Sequence, residues 1–238
     1  MLIFIQKEDI YNGYQILINA EHKINKPVFK YKEHQNIYLE EKCLNSLLRL
    51  FSDIKADNQI VLVSGLRNKA EQCTIYENSL IENGRDFTEK YVALPDTSEH
   101  QSGLAIDLGL NMKDIDFIRP YFPDEGICLK FKNKAADYGF LLRYPEDKTD
   151  ITGIAFEPWH FRYVGIPHSL IMQEKELVLE EYISYIRRFT ANFPLKFGKY
   201  TIFYLPYSDT DCYININDKL SYSISGNNID GVIVTLWP

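Results

Sequence analysis

The strongest constraint on how this chain folds lies in two short segments. They read Ser98-Glu99-His100-Gln101-Ser102-Gly103-Leu104-Ala105-Ile106-Asp107 and Glu157-Pro158-Trp159-His160-Phe161-Arg162-Tyr163-Val164-Gly165. Residues 104–110 alternate as a strand does, which puts Ala105 and Asp107 on one face. His100 comes just before that strand, and His160 belongs to a separate extended segment. A catalytic zinc takes three ligands from His, Asp, Glu or Cys and keeps a fourth position for water. Two imidazoles and one carboxylate from these segments can meet around an ion only where the two strands are neighbours. Gly103 permits a tight bend between His100 and Asp107, and Ala105 leaves space on the face that Asp107 shares. Glu157 precedes His160 with Pro158 between them, which predicts a bulge that aims both side chains into one cleft.

The remaining pattern supplies a scaffold. Leu39, Cys43, Leu44, Leu47, Leu48 and Phe51 recur at helical spacing and predict a helix over 38–56. Further helices are predicted over 69–82, over 127–138 closed by Gly139, and over 176–189. Short apolar runs at 59–63, 140–144 and 154–163 read as strands. The polar stretch 83–99, which carries Pro95, reads as a loop. After Pro194 the character changes: 200–205, 212–216, 220–224 and 232–237 read as strands separated by Pro, Asn, Asp and Gly turns. The expectation is an α+β fold, with a central antiparallel sheet and flanking helices over 1–194 and a small β-rich extension over 195–238.

Composition closes off several function classes. The 238 residues are 45% hydrophobic, enough for one substantial core and an appendage. Net charge is −7 and no Lys/Arg block stands out, so no nucleic-acid partner is expected. Cys43, Cys73, Cys128 and Cys212 form no C-x-x-C pair and read as reduced thiols. Lys7, Glu8 and Asp9 interrupt the apolar N-terminus, and no apolar run approaches the ~20 residues of a spanning helix. The expected location is the cytoplasm, without membrane association.

The two segments match the pattern S-x-H-x-x-G-x-A-x-D followed by E-x-x-H, and Ser64-Gly65-Leu66-Arg67 matches an S-G-x-R segment ahead of them. Together they resemble the zinc D,D-peptidases that include the VanX dipeptidases, the VanY carboxypeptidases and the bifunctional VanXY enzymes. The resemblance covers residues 60–165 in the right order. It implies one zinc per chain, held by His100, Asp107 and His160, with Glu157 as general acid/base. It also implies that Arg67 steadies the oxyanion, that Ser98 binds the terminal carboxylate of the substrate, and that Gln72 contacts substrate. Trp159 is expected to wall the site and Arg162 to pair with a carboxylate near the metal.

The Glu-Pro-Trp-His and Arg-Tyr-Val-Gly runs, with no N-terminal anchor, are most similar to the VanXY type. Its implied substrates are D-Ala-D-Ala and peptidoglycan precursors that end in it, which links the activity to vancomycin resistance. The residues leave two alternatives open: a cell-wall endopeptidase of other linkage specificity, and a zinc-bearing binding module without catalysis. The extension after Pro194 is open to three roles: extra strands on the main sheet, a wall of the substrate entrance, or a homodimer contact.

Overall fold

The computed structural model describes residues 1–209 and 212–238. In chain order the strands are β1 (Leu2–Phe4), β2 (Tyr31–His34), β3 (Ile37–Glu40), β4 (Ile60–Ser64), β5 (Ala105–Leu110), β6 (Phe140–Leu142), β7 (His160–Tyr163), β8 (Leu195–Phe197), β9 (Tyr200–Pro206), β10 (Tyr213–Asn215), β11 (Ser221–Gly226) and β12 (Gly231–Trp237). The helices are α1 (Glu41–Ile54), α2 (Lys69–Asn83), α3 (Arg85–Tyr91), α4 (Gly126–Lys134), α5 (Thr149–Thr152), α6 (His168–Glu174) and α7 (Leu179–Ile186). These elements gather into two compact units. The larger contains residues 18–24 and 29–178, the smaller 1–17, 25–28 and 179–238.

The larger unit is built on an antiparallel sheet of order β4-β5-β7-β6. Its register places Asp107 directly opposite His160, and Ala105 opposite Arg162. Because side chains alternate along a strand, these four residues share one face and Ile106 and Phe161 share the other. The second face is sealed by an aromatic cluster. Phe161 meets Phe131 of α4 at 4.8 Å and Phe122 at 5.6 Å, and Phe51 of α1 reaches Phe131 at 5.9 Å. Aromatic pairs of this kind add about 0.5–1.5 kcal/mol each beyond area burial. The apolar side thus anchors the strands rigidly, and the polar side is held in register by the same backbone.

Four local departures from the sequence expectation have physical causes. Residues 38–40 extend as part of β3 rather than opening the helix. Gln35 and Asn36 adopt left-handed backbone between β2 and β3, and the Glu40 side chain then caps the Cys43 N–H at 2.8 Å, so α1 begins at Glu41. The stretch expected as a loop contains α3, where Phe87 and Tyr91 stack one turn apart at 4.8 Å. Glu176 is left-handed (φ 52°), so the last helix starts only at Leu179. Residues 154–159 are not strand: β7 begins at His160, and a turn closed by the His160 N–H on the Glu157 carbonyl (3.2 Å) replaces the expected bulge. The register irregularity lies instead on β4, between Leu62 and Ser64.

The smaller unit carries an antiparallel sheet of order β11-β12-β9-β8 and the pair β1–β10. Its core is Ile5, Phe203, Ile214, Ile216, Val232 and Val234. Among the described residues, no helix is long and apolar enough to cross a membrane.

Candidate metal centre

The Ser64–Arg67 loop runs off β4 and is stitched down by backbone bonds: Leu66 N–H to the Tyr38 carbonyl (2.7 Å) and Arg67 N–H to the His100 carbonyl (3.2 Å). Only glycine fits at position 65, since a Cβ there would meet Ile37 Cγ2 and the Tyr38 carbonyl oxygen at 2.5 Å. This close approach aims the Gly65 carbonyl at His100, whose Nδ1 donates to it at 2.7 Å. His100 itself lies in the short 3-10 turn Glu99–Ser102, which Gly103 closes in the left-handed region (φ 71°) before β5 begins. The glycines of both motifs therefore serve one end, which is to hold the His100 ring.

A carbonyl can only accept, so the His100 proton is on Nδ1 and the lone pair of Nε2 is what faces Asp107 Oδ2, 3.0 Å away. On the neighbouring strand, His160 Nδ1 lies 2.9 Å from Asp107 Oδ1. The candidate ligand atoms of His100, Asp107 and His160 all lie within 4.8 Å of one another, and all three residues are buried. Donor atoms at about 2.1 Å from a common tetrahedral ion stand roughly 3.4 Å apart, so the cluster is of the right size. Asp107 Oδ1 has no hydrogen-bond partner among the described residues. Lone pairs that converge in a buried site repel unless positive charge lies between them. Two imidazoles and a carboxylate are a donor set suited to a borderline divalent cation such as zinc.

Electrostatics sharpen the picture. Burial, with Arg67 behind it, lowers the His100 imidazole, which keeps the ring neutral despite Asp107. Burial would also depress His160, but the Asp107 and Glu99 carboxylates beside its two ring nitrogens override it and raise that imidazole to about 9. For Asp107, burial opposes ionisation, yet His100 and His160 hold the carboxyl far below the usual carboxylate range. Burial pushes Glu157 up to about 8, with His160 and Arg67 opposing and Asp107 and Glu99 adding to the rise.

The three expected ligands and the four residues expected to meet water or substrate all line one cleft, whereas Arg162 lies outside its lining. Glu157 enters it from the turn before β7, its Oε2 3.6 Å from His160 Nδ1. Arg67 donates from Nη2 to Asp107 Oδ2 at 2.9 Å and from Nε to Ser64 Oγ at 2.7 Å, and Phe117 covers its guanidinium. Gln72 Oε1 accepts from Arg67 Nη1 (3.4 Å) and its Nε2 donates to the Ala93 carbonyl (2.8 Å), so it braces the arginine and the cleft wall. Ser98 stands at the N-cap of the 3-10 turn, but its hydroxyl makes no capping bond there. Trp159 and Tyr144 are lining residues, and the Tyr144 ring lies 4.9 Å from that of His160.

Two participants escaped the sequence reading. Glu99 is buried beside His160 and accepts from Arg143 Nε and Arg162 Nη1, both at 2.8 Å. Arg162 thus does pair with a carboxylate near the centre. The available signal was a charged residue between Ser98 and His100, at a position the motif leaves unspecified. Tyr144 carried no signal, because its role depends on β6 lying beside β7.

Comparison with known proteins places this arrangement. The family VanY, D-alanyl-D-alanine carboxypeptidase, matches residues 36–166. The bifunctional D-Ala-D-Ala dipeptidase and carboxypeptidase VanXYC of Enterococcus gallinarum is 42% identical, over 74% of this chain and 97% of that protein. A D-alanyl-D-alanine carboxypeptidase of Enterococcus faecium is 37% identical, over 98% of this chain and 78% of its own length. Among solved structures, the D,D-dipeptidase VanXYg in complex with a D-Ala-D-Ala phosphinate analogue superposes with a TM-score of 0.98 at 48% identity, covering 100% of this chain and 99% of that one. A mutant of VanY from a VanB-type resistance cassette, in complex with Zn(II), gives a TM-score of 0.62 at 31% identity, over 71% of this chain and 98% of its own.

Proposed function

The chain belongs to the VanY family of D-alanyl-D-alanine carboxypeptidases, and on that premise we propose that it is a zinc-dependent peptidase of the bifunctional kind. It hydrolyses D-Ala-D-Ala and removes the C-terminal D-Ala of peptidoglycan precursors in the cytoplasm, which clears the vancomycin target. The observation that carries this reading is the convergence of His100 Nε2, the Asp107 carboxylate and His160 Nδ1 beside a buried Glu157.

One zinc per chain would be held by His100, Asp107 and His160, where it supplies a Lewis acid that makes water nucleophilic near neutral pH and polarises the peptide carbonyl. Glu157 takes a proton from the attacking water and returns it to the departing amine, a role suited to a buried carboxyl that faces the candidate ligand atom of His160. The Arg67 guanidinium meets the negative charge that develops on the carbonyl oxygen. Removing one such donor typically costs about 3 kcal/mol of barrier. Ser64 and Gln72 hold the plane of that guanidinium, and Ser98 offers its hydroxyl to the terminal carboxylate of the substrate. Trp159 and Tyr144 wall the cleft, which excludes water and strengthens these charge interactions.

The substrate assignment is tested with purified protein on D-Ala-D-Ala, on an acyl-D-Ala-D-Ala tripeptide and on their L,D and L,L isomers, each with and without a chelator. Chelator-sensitive cleavage of both D,D substrates is expected. Preference for an L,D or L,L bond would move the enzyme to another cell-wall linkage, and cleavage of none would leave a binding module.

A pH dependence of metal uptake follows from His160. Its proton is held until about pH 9, and a cation must displace it. Apparent zinc affinity should therefore rise about tenfold per pH unit between pH 7 and 9 and then flatten, as far as this group decides it. Zinc titrations at pH 7 in buffers of different ionisation enthalpy should report about one proton released per ion. Release of none would contradict the assignment of Nδ1 as ligand.

A further inference from the structure

We propose that Glu99 is a positioning residue for His160: its carboxylate decides which imidazole nitrogen carries the proton, leaving Nδ1 as the lone pair turned to the metal. The inference rests on the zinc peptidase reading given above. Glu99 is 1% exposed, and its two oxygens divide their tasks. Oε1 accepts from both Arg143 and Arg162 at 2.8 Å. Oε2 has no hydrogen-bond partner among the described residues and faces His160 Nε2 at 3.6 Å, and that nitrogen has none either. At 3.6 Å the contact is longer than a hydrogen bond, and a shift of a few tenths of an ångström makes it one.

The chemistry of the imidazole explains the pairing. Nδ1 faces Asp107 Oδ1 at 2.9 Å and can give its lone pair to a cation only while Nε2 holds the proton. A buried N–H needs an acceptor, and Glu99 Oε2 stands opposite it. Carboxylates commonly play this part behind metal-bound histidines.

The two arginines fix Glu99 from the strands that bracket the ligand. Arg162 is on β7, two residues from His160 on the same face, and Arg143 follows β6 and donates its backbone N–H to the His160 carbonyl at 3.2 Å. Their positive charge also holds the buried carboxylate ionised, well below the usual carboxylate range, against the cost of its burial. A glutamine at 99 has a single oxygen, which cannot serve both the arginines and His160.

The test compares Glu99→Gln and Glu99→Asp with the parent protein. Zinc dissociation constants are measured by competition with a chromophoric chelator, melting temperatures on the same samples with excess chelator, and kcat and KM at saturating zinc. Glu99→Gln should bind zinc roughly 10–100-fold more weakly while still folded, and lower kcat with KM little changed. Glu99→Asp keeps the charge at shorter reach and should fall between. A variant that melts earlier yet binds zinc as tightly as the parent would show a purely structural role and overturn the proposal. Should Glu99→Gln fail to fold, Glu99→Asp decides by the same criterion. Absence of zinc from the parent protein would instead defeat the metallopeptidase reading on which the proposal stands.

Discussion

Glu157→Ala should keep one zinc per chain and lose turnover by roughly 10³-fold, the range expected when a general acid/base is removed. The two effects separate because of where Glu157 sits. It reaches the cleft from the turn ahead of β7, and its Oε2 lies 3.6 Å from His160 Nδ1, whereas the candidate ligand atoms gather without it. Burial raises its proton affinity in the metal-free cleft, to about 8, and a cation held by the three ligands would lower it toward the range in which it takes a proton from water. Glu157→Gln keeps the shape and should lose as much, which would exclude a steric cause. Zinc content by atomic absorption and kcat on D-Ala-D-Ala are the two readouts. Activity within tenfold of the parent would remove Glu157 from the mechanism.

Asp107→Ala should be more damaging still, because it acts on metal, charge and fold together. The carboxylate is the common partner of His100, His160 and Arg67, at 3.0, 2.9 and 2.9 Å. Without it Arg67 is left a part-buried cation lacking its partner, a defect that costs less than the roughly 3–5 kcal/mol of a fully buried pair. Zinc affinity should fall by at least about 100-fold and turnover should vanish. Because the folded-state carboxyl lies well below its unfolded value, this stabilisation is present at neutral pH and is lost as pH falls through the acid range. Urea unfolding of metal-free parent and variant at pH 7 and at about pH 2 should show the gap narrowing at the lower pH, since the loss begins only below the unfolded carboxyl value near 4. An equal gap at both would mean that Asp107 contributes by packing alone. A variant with parent-like stability and zinc content would discard Asp107 as the hub of the site.

How much of this was legible beforehand depends on the range of the interaction that fixes each feature. The strand that carries Asp107 followed from period-two alternation, and its place beside the His160 segment from the requirement that distant polar residues meet around one ion. Gly139 marked a helix end and Gly103 a tight bend, because a left-handed residue redirects the chain locally. The β2–β3 hairpin was missed although Gln35-Asn36 supplies its turn, since Leu39 continues the apolar stripe of α1 and drew residues 38–40 into the helix. The first strand left no trace at all: Leu2–Phe4 pairs with Tyr213–Asn215, some two hundred residues away, and nothing in three residues announces a partner. Glu99 and Tyr144 were illegible for a related reason. Each touches His160 only because β6, β7 and the turn before β5 come together, and a single buried carboxylate or ring has no periodic signature.

Anomalous diffraction at the zinc edge from crystals of the zinc-loaded protein tests the core of this account most directly. One peak per chain is expected, bounded by His100 Nε2, the Asp107 carboxylate and His160 Nδ1, on the face of the β5–β7 pair opposite Phe161. A peak held by other side chains, or full peptide turnover in crystals and solution with no peak there, would contradict it.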